Sequence, residues 1–172
     1  MPTLLLSNKH LATAELAHER VLSLRDWLGG DWGAVFSNPN DFAPTPTTPA
    51  GFITCLAQAM TDAGIKPIAF NRSAEPSAQH GWLDHAINDD AWVVLNNDGE
   101  DVIDLAEFAL ASHLDALHRP FVTIIDARGR VRITVTYQPS AGTRSILDVV
   151  DLVEALRSGS HEQVRELSAL VS

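Results

Sequence analysis

The chain carries one thiol, Cys55, and that side chain is the first candidate for chemistry. Cysteine reacts as its thiolate, which needs an electropositive and partly open site. No Lys or Arg stands within ten residues on its N-terminal side, and Lys66 is remote in sequence. With Phe52 and Ala59, Cys55 forms a stripe beside an apolar helical stripe, so a packed, inert thiol is expected. A lone cysteine also excludes an intramolecular disulfide or a Cys-based metal cluster within the chain. Thr45, Thr47 and Thr48 place three hydroxyls ahead of the same helix, where backbone N–H groups favour anions. Thr48 as the helix cap accounts for one of them; together they are the candidate ligand-binding residues. His80 and His85, and His113 and His118, are spaced by five, with Asp84 and Asp115 nearby. That spacing does not align ligands on one helix face, so solvated helix-end histidines and no metal are expected. The sequence holds no Gly-rich phosphate loop, no serine-nucleophile motif and no recognisable carboxylate pair, and no cofactor is expected.

These side chains need a scaffold. Arg20 to Leu24 reads as a strand, and Arg25 to Gly29 as a short helical turn ended by Gly29-Gly30. Asp31 to Ser37 reads as a largely apolar, central strand. Four prolines (Pro39, Pro44, Pro46 and Pro49) then fix the path of a loop from Ser37 to Pro49. Ile53, Leu56, Ala57 and Met60 make one stripe of a helix that Pro49 opens and Gly64 ends. Lys66 to Phe70 and Trp92 to Asn96 are short strands, with helices expected over Ser77 to Ile87 and from Val102 towards Leu117. Phe121 to Asp126 is a central strand. After Arg128-Gly129, Val131, Ile133, Val135 and Tyr137 alternate with polar residues, the pattern of a half-exposed edge strand. Ile146, Val149, Val150 and Val153 mark another helix. Ser160-x-x-Gln163 is a capping box for a last one, with Val164, Leu167 and Val171 inward. Strands alternating with helices and closing on a hairpin give an α/β fold, a three-layer α/β/α sandwich with a mixed central sheet. The expectation is one domain over 1–172, with 158–172 as a C-terminal helical extension.

Composition narrows the function. Twenty-two acidic and 12 basic residues give a formal charge of −10, which repels nucleic acid unless cations gather on one face; Arg128, Arg130 and Arg132 are the densest group in sequence. No apolar run approaches a membrane span, and Leu4-Leu5-Leu6 is too short for a signal peptide. The expectation is a cytoplasmic protein that binds neither nucleic acid nor membrane. Trp27, Trp32, Trp82 and Trp92 are too scattered for a stacking platform.

The segment Leu24-Arg-Asp-Trp-Leu-Gly-Gly-Asp-Trp-Gly-Ala-Val-Phe-Ser-Asn-Pro-Asn-Asp-Phe-Ala-Pro44, followed by Thr47-Thr48, resembles the active-site region of peroxiredoxins. The one-cysteine branch of the alkyl hydroperoxide reductase/thiol-specific antioxidant family is most similar. Phe121-Val-Thr-Ile-Ile-Asp126, Tyr137-x-Pro139, Gly142-Thr-Arg144 and Asp151-Leu-Val-Glu-Ala-Leu156 resemble its later segments in the right order. The resemblance spans roughly 18–157 and implies a thioredoxin-like sandwich and an antioxidant thiol oxidoreductase. It also implies an active site at Pro39, Ala43, Pro46, Arg119, Pro120 and Arg144. There the family's threonine position holds Ala43 and its peroxidatic cysteine position holds Pro46. The preceding histidine is Asn38, the glutamate after the threonine pair is Pro49, and the distant arginine is Pro120, with Arg119 its neighbour. Proline supplies no nucleophile. The resemblance to thioredoxins further implies a cis Arg119–Pro120 bond. The expected function is therefore a non-catalytic binding or interaction module, a pseudoenzyme homodimer joined through the Arg130–Tyr137 edge strand, with a protein partner. The alternatives are a thiol peroxidase using Cys55 and a non-catalytic subunit of a peroxiredoxin assembly.

Overall fold

A computed structural model describes residues 3–5, 24–42, 49–71, 91–96, 110, 113–114, 116–138 and 144–172. Among these, six strands form one mixed sheet: β1 (Thr3–Leu5), β2 (Trp32–Phe36), β3 (Ile65–Asn71), β4 (Val93–Asn96), β5 (Phe121–Ile125) and β6 (Val131–Thr136). Their order is β1-β4-β3-β2-β5-β6. β2, β3 and β4 run parallel, and β1, β5 and β6 join antiparallel to their neighbours. The helices are α1 (Leu24–Leu28), α2 (Pro49–Thr61), α3 (Ile146–Ser158) and α4 (His161–Val171). The expected α/β sandwich with a mixed sheet is the observed one.

Burial follows the sequence periodicity. In α2, Ile53, Leu56, Ala57 and Met60 are buried, and in α3 Ile146, Val149, Leu152 and Val153 are buried. Both stripes pack with Ala34, Phe36, Val122 and Ile124 on one face of the sheet. Leu24, Trp27 and Leu28 of α1, with Leu110 and Leu114, cover the other face against Val35, Ile68 and Ile125. Alternate residues of β2 therefore feed two cores, which is why its sequence reads as uniformly apolar.

The centre of the sheet leaves no room at Gly33. A Cβ there would lie 2.9 Å from Ile125 Cγ1 and 3.1 Å from Ile68 Cδ1. Gly33→Ala is expected to destabilise the fold by about 1–3 kcal/mol through overpacking, read as a lower urea midpoint with an unchanged slope.

Several expectations change. Leu24 begins α1 rather than ending a strand, because Leu24, Trp27 and Leu28 form an i, i+3, i+4 buried stripe; Arg20 to Ser23 lie outside the described residues. A short strand unmarked by the sequence pattern, β1, pairs with β4. The Ser77–Ile87 helix and most of the Val102–Leu117 helix lie outside the described residues, although Leu110, His113 and Leu114 are helical. Val131 is 38% exposed rather than inward. Between Ile124 and Ile125 the β5–β6 register shifts, so Arg132 is an extra residue. Such a bulge re-aims side chains, and the Arg132 guanidinium lies 5.1 Å from the centre of the Trp32 ring. Ser160 does cap α4, but its side chain makes no cap hydrogen bond, so no capping box closes.

Candidate functional site

The site is assembled where β2 ends. Beyond Phe36 the chain makes one more pairing to β5: Ser37 N–H donates to the Phe121 carbonyl at 3.2 Å, and Phe121 N–H donates to Ser37 Oγ at 2.9 Å. Pro39 then opens a 3-10 turn, Pro39–Phe42, closed by Asp41 N–H on the Asn38 carbonyl. Proline suits that first position because its φ is preset and its missing N–H is not needed there. The turn places Phe42 in the core, edge-on to Phe36 at 5.2 Å and to Tyr137 at 5.7 Å.

The turn also places Asp41 beside the end of β6. Tyr137 OH donates to Asp41 Oδ2 at 2.7 Å. The Tyr137 ring is buried, and the Arg144 guanidinium stacks over it at 4.0 Å. Arg144 is itself buried. Its N–H donates to the Asp41 carbonyl at 2.7 Å, and its guanidinium donates to the carbonyls of Val171 (2.5 Å) and Gln138 (3.4 Å). A buried cation requires such partners. Burial and the hydrogen bond to the Asp41 carboxylate hold the Tyr137 phenol far above its ordinary pKa, so it stays protonated and donating.

Of the site residues expected from sequence, the structure brings together Pro39, through its turn, and Arg144. Pro120 adjoins them, because its carbonyl accepts the Tyr137 N–H at 3.0 Å. Arg119 is exposed. The Arg119–Pro120 bond is trans, as are all described peptide bonds, which corrects the expected cis bond. The trans form is the lower-energy isomer of an X–Pro bond. Ala43, Thr45, Pro46, Thr47 and Thr48 lie outside the described residues, as do His80 and His85.

Cys55 is exposed, which corrects the packed thiol expected above. Ile53, Leu56, Ala57 and Met60 take the inner face of α2. Cys55 is two residues from Ile53, about 200° round the helix, and so points away from the core. Native protein is expected to take up one equivalent of iodoacetamide per chain as fast as urea-unfolded protein, followed by mass; protection of the folded thiol would contradict this geometry. His113 is exposed as expected, yet it is tied to the sheet: Nε2 lies 2.7 Å from Thr134 Oγ1, which lies 2.9 Å from Thr123 Oγ1. Among the described residues no cluster of His, Cys, Asp or Glu is arranged to hold a metal.

Sequence reasoning missed Asp41 and Tyr137 as partners. They are 96 residues apart, and no local spacing links them; the only hint was that each belonged to a segment carrying the family resemblance.

The chain is 33% identical to peroxiredoxin-6 of Gallus gallus over 76 residues, which is 44% of this chain and 34% of that protein. The chain is related to the peroxiredoxins. The match spans about a third of that relative's length, and no protein-family model matches the chain. Two solved peroxiredoxin-type structures share the fold. A cysteine-to-serine mutant of the peroxiredoxin 6 of Arenicola marina superposes with a TM-score of 0.50 at 23% identity, covering 81% of this chain and 67% of its own. Mycobacterium tuberculosis AhpC gives 0.50 at 16% identity, covering 94% and 90%. The thioredoxin-like fold expected of a peroxiredoxin relative is thus present.

Proposed function

We propose that this chain is a peroxiredoxin-like module that binds a partner and does not reduce peroxide. One observation carries the reading: the chain's single sulfur nucleophile, Cys55, is on the outer face of α2, while Tyr137, which Asp41 and Arg144 hold, shares a core with the inner face. Peroxide reduction requires a thiolate to attack the O–O bond, giving a sulfenic acid and releasing water or an alcohol. The position matching the family's attacking cysteine holds Pro46, and the matching threonine position holds Ala43. Neither supplies a nucleophile or a hydroxyl donor. Thr45, Thr47 and Thr48, ahead of α2, remain the groups that would contact a ligand.

The same reading makes the chain one domain, with 158–172 an appended helix, and a homodimer through β6. The β6 strand is at the end of the sheet, and an edge strand is a template for pairing. A monomer by light scattering at tens of micromolar would contradict the dimer. A cytoplasmic location fits this reading. Among the described residues no helix is long and apolar enough to cross a membrane.

A second reading, a thiol peroxidase using Cys55 and an external thiol, has the exposure of Cys55 in its favour. Peroxide consumption with excess thiol separates the two. The wild type and Cys55→Ser are expected to match the buffer rate. Turnover that disappears in Cys55→Ser would overturn the binding reading. Pro46→Cys with Ala43→Thr is expected to introduce peroxide consumption, because it restores both groups to the family's positions. Co-purification with a cysteine-containing relative would identify the partner as a catalytic peroxiredoxin.

A further inference from the structure

We infer that α4 is a latch on the Asp41–Tyr137–Arg144 site: the Val171 carbonyl holds the Arg144 guanidinium in place, and undocking of the helix releases that guanidinium and loosens the Pro39–Phe42 turn. The inference rests on reading that cluster as the functional site and adds how it is regulated.

The helix buries few of its own side chains fully. Val171 is the one residue of α4 that is fully buried. Val164 and Leu167 are half-buried against the core. Leu170 is 62% exposed, and the N-cap Ser160 makes no side-chain hydrogen bond. Helices with few buried apolar contacts open at lower free energy than the core they cover. Gly159 and Ser160 form the two-residue joint between α3 and α4, and Gly159, at φ 76°, takes a left-handed conformation that favours glycine.

At the other end of α4 the attachment is specific. The last carbonyls of a helix lack intrahelical donors, and Arg144 Nε–H supplies one to Val171. Arg144 in turn covers the Tyr137 ring, and its backbone N–H holds the Asp41 carbonyl. Loss of α4 removes a partner from a buried cation, which then gains by turning to water. That movement uncovers Tyr137 and removes one wall of the site. The latch thus has two states, docked and released, and a partner that binds either α4 or the site shifts the balance between them.

Tyr137 is the only tyrosine in the chain, so tyrosinate absorbance reports this site alone. In the full-length wild type the phenol is expected to resist ionisation well above the ordinary value of about 10. Val171→Asp is expected to bring the midpoint down towards about 10, with β2, β3 and β5 amides still protected from exchange. Leu170→Asp adds the same charge at an exposed position and is expected to keep the wild-type titration. A wild-type titration in folded Val171→Asp would overturn the latch. If Val171→Asp does not fold, native-state hydrogen exchange on the wild type decides. Amides of α4 and those of Asp41, Tyr137 and Arg144 are expected to open together, below the free energy of global unfolding. Opening of α4 alone, with the site amides exchanging only on global unfolding, would overturn it. Cys55-dependent peroxide turnover would end the non-catalytic reading but leave both outcomes here unchanged.

Discussion

Trp92→Ala is expected to cost about 3–5 kcal/mol of folding stability, a large share of the 5–15 kcal/mol that holds a domain together (roughly, across proteins). Trp92 is fully buried. Its ring is tilted against Phe36 at 6.2 Å, and its indole N–H donates to the Ile53 carbonyl of α2 at 3.0 Å. It stands at the entrance to β4 and so joins three elements: β4, β2 and the helix that follows the candidate ligand-binding threonines. Truncation leaves a cavity the size of an indole ring that neighbouring side chains fill only in part. Trp92→Phe separates the two contributions. It keeps most of the apolar volume and removes the hydrogen bond, for an expected loss nearer 1–2 kcal/mol in rough terms. Urea denaturation of both variants is the measurement. An alanine variant losing under about 1 kcal/mol would mean that the site collapses around the gap instead of retaining it.

The fold was legible in the sequence because burial here follows simple periods. The stripe of Ile53, Leu56, Ala57 and Met60 had only to turn inward to define α2, and Phe121 to Ile125 is buried at every position, as a central strand should be. Where the pattern misled, a local event intervened. A β-bulge turned Val131 outward and Arg132 over Trp32. The stripe containing Cys55 lies beside the apolar one, yet the same 3.6-residue period that puts Ile53 inside puts Cys55 outside. The candidate site was legible only in part. Pro39 and Arg144 could be placed by resemblance to peroxiredoxins. Asp41 meets Tyr137, and Arg144 meets Val171, only after β6 and α4 have packed. Contacts of that kind join residues far apart in the chain, and hydrophobic periodicity reports which face is buried without saying which polar groups will meet there.

The Tyr137–Asp41 hydrogen bond is expected to make the protein sensitive to alkali in a way that Tyr137→Phe removes. The folded chain raises the phenol's pKa, first by burying it and then by the Asp41 carboxylate that accepts its proton in a hydrogen bond. The unfolded chain leaves it near 10, an approximate reference value. Below that pH both states hold the proton and the stabilisation is complete. Above it the unfolded state releases the proton while the folded state keeps it, so unfolding becomes more favourable as pH rises. The loss is about 1.4 kcal/mol per pH unit and continues until the folded pKa is reached. Urea midpoints taken at intervals upward from pH 9 are the measurement. Tyr137→Phe begins less stable at neutral pH, by about 0.5–1.5 kcal/mol, because the half-buried Asp41 carboxylate loses that hydrogen bond. Its stability is expected to fall less steeply above about pH 10, by the contribution of one proton, so that the two curves converge. Parallel curves would mean that the phenol titrates alike in both states, and the hydrogen bond to Asp41 could not then exist.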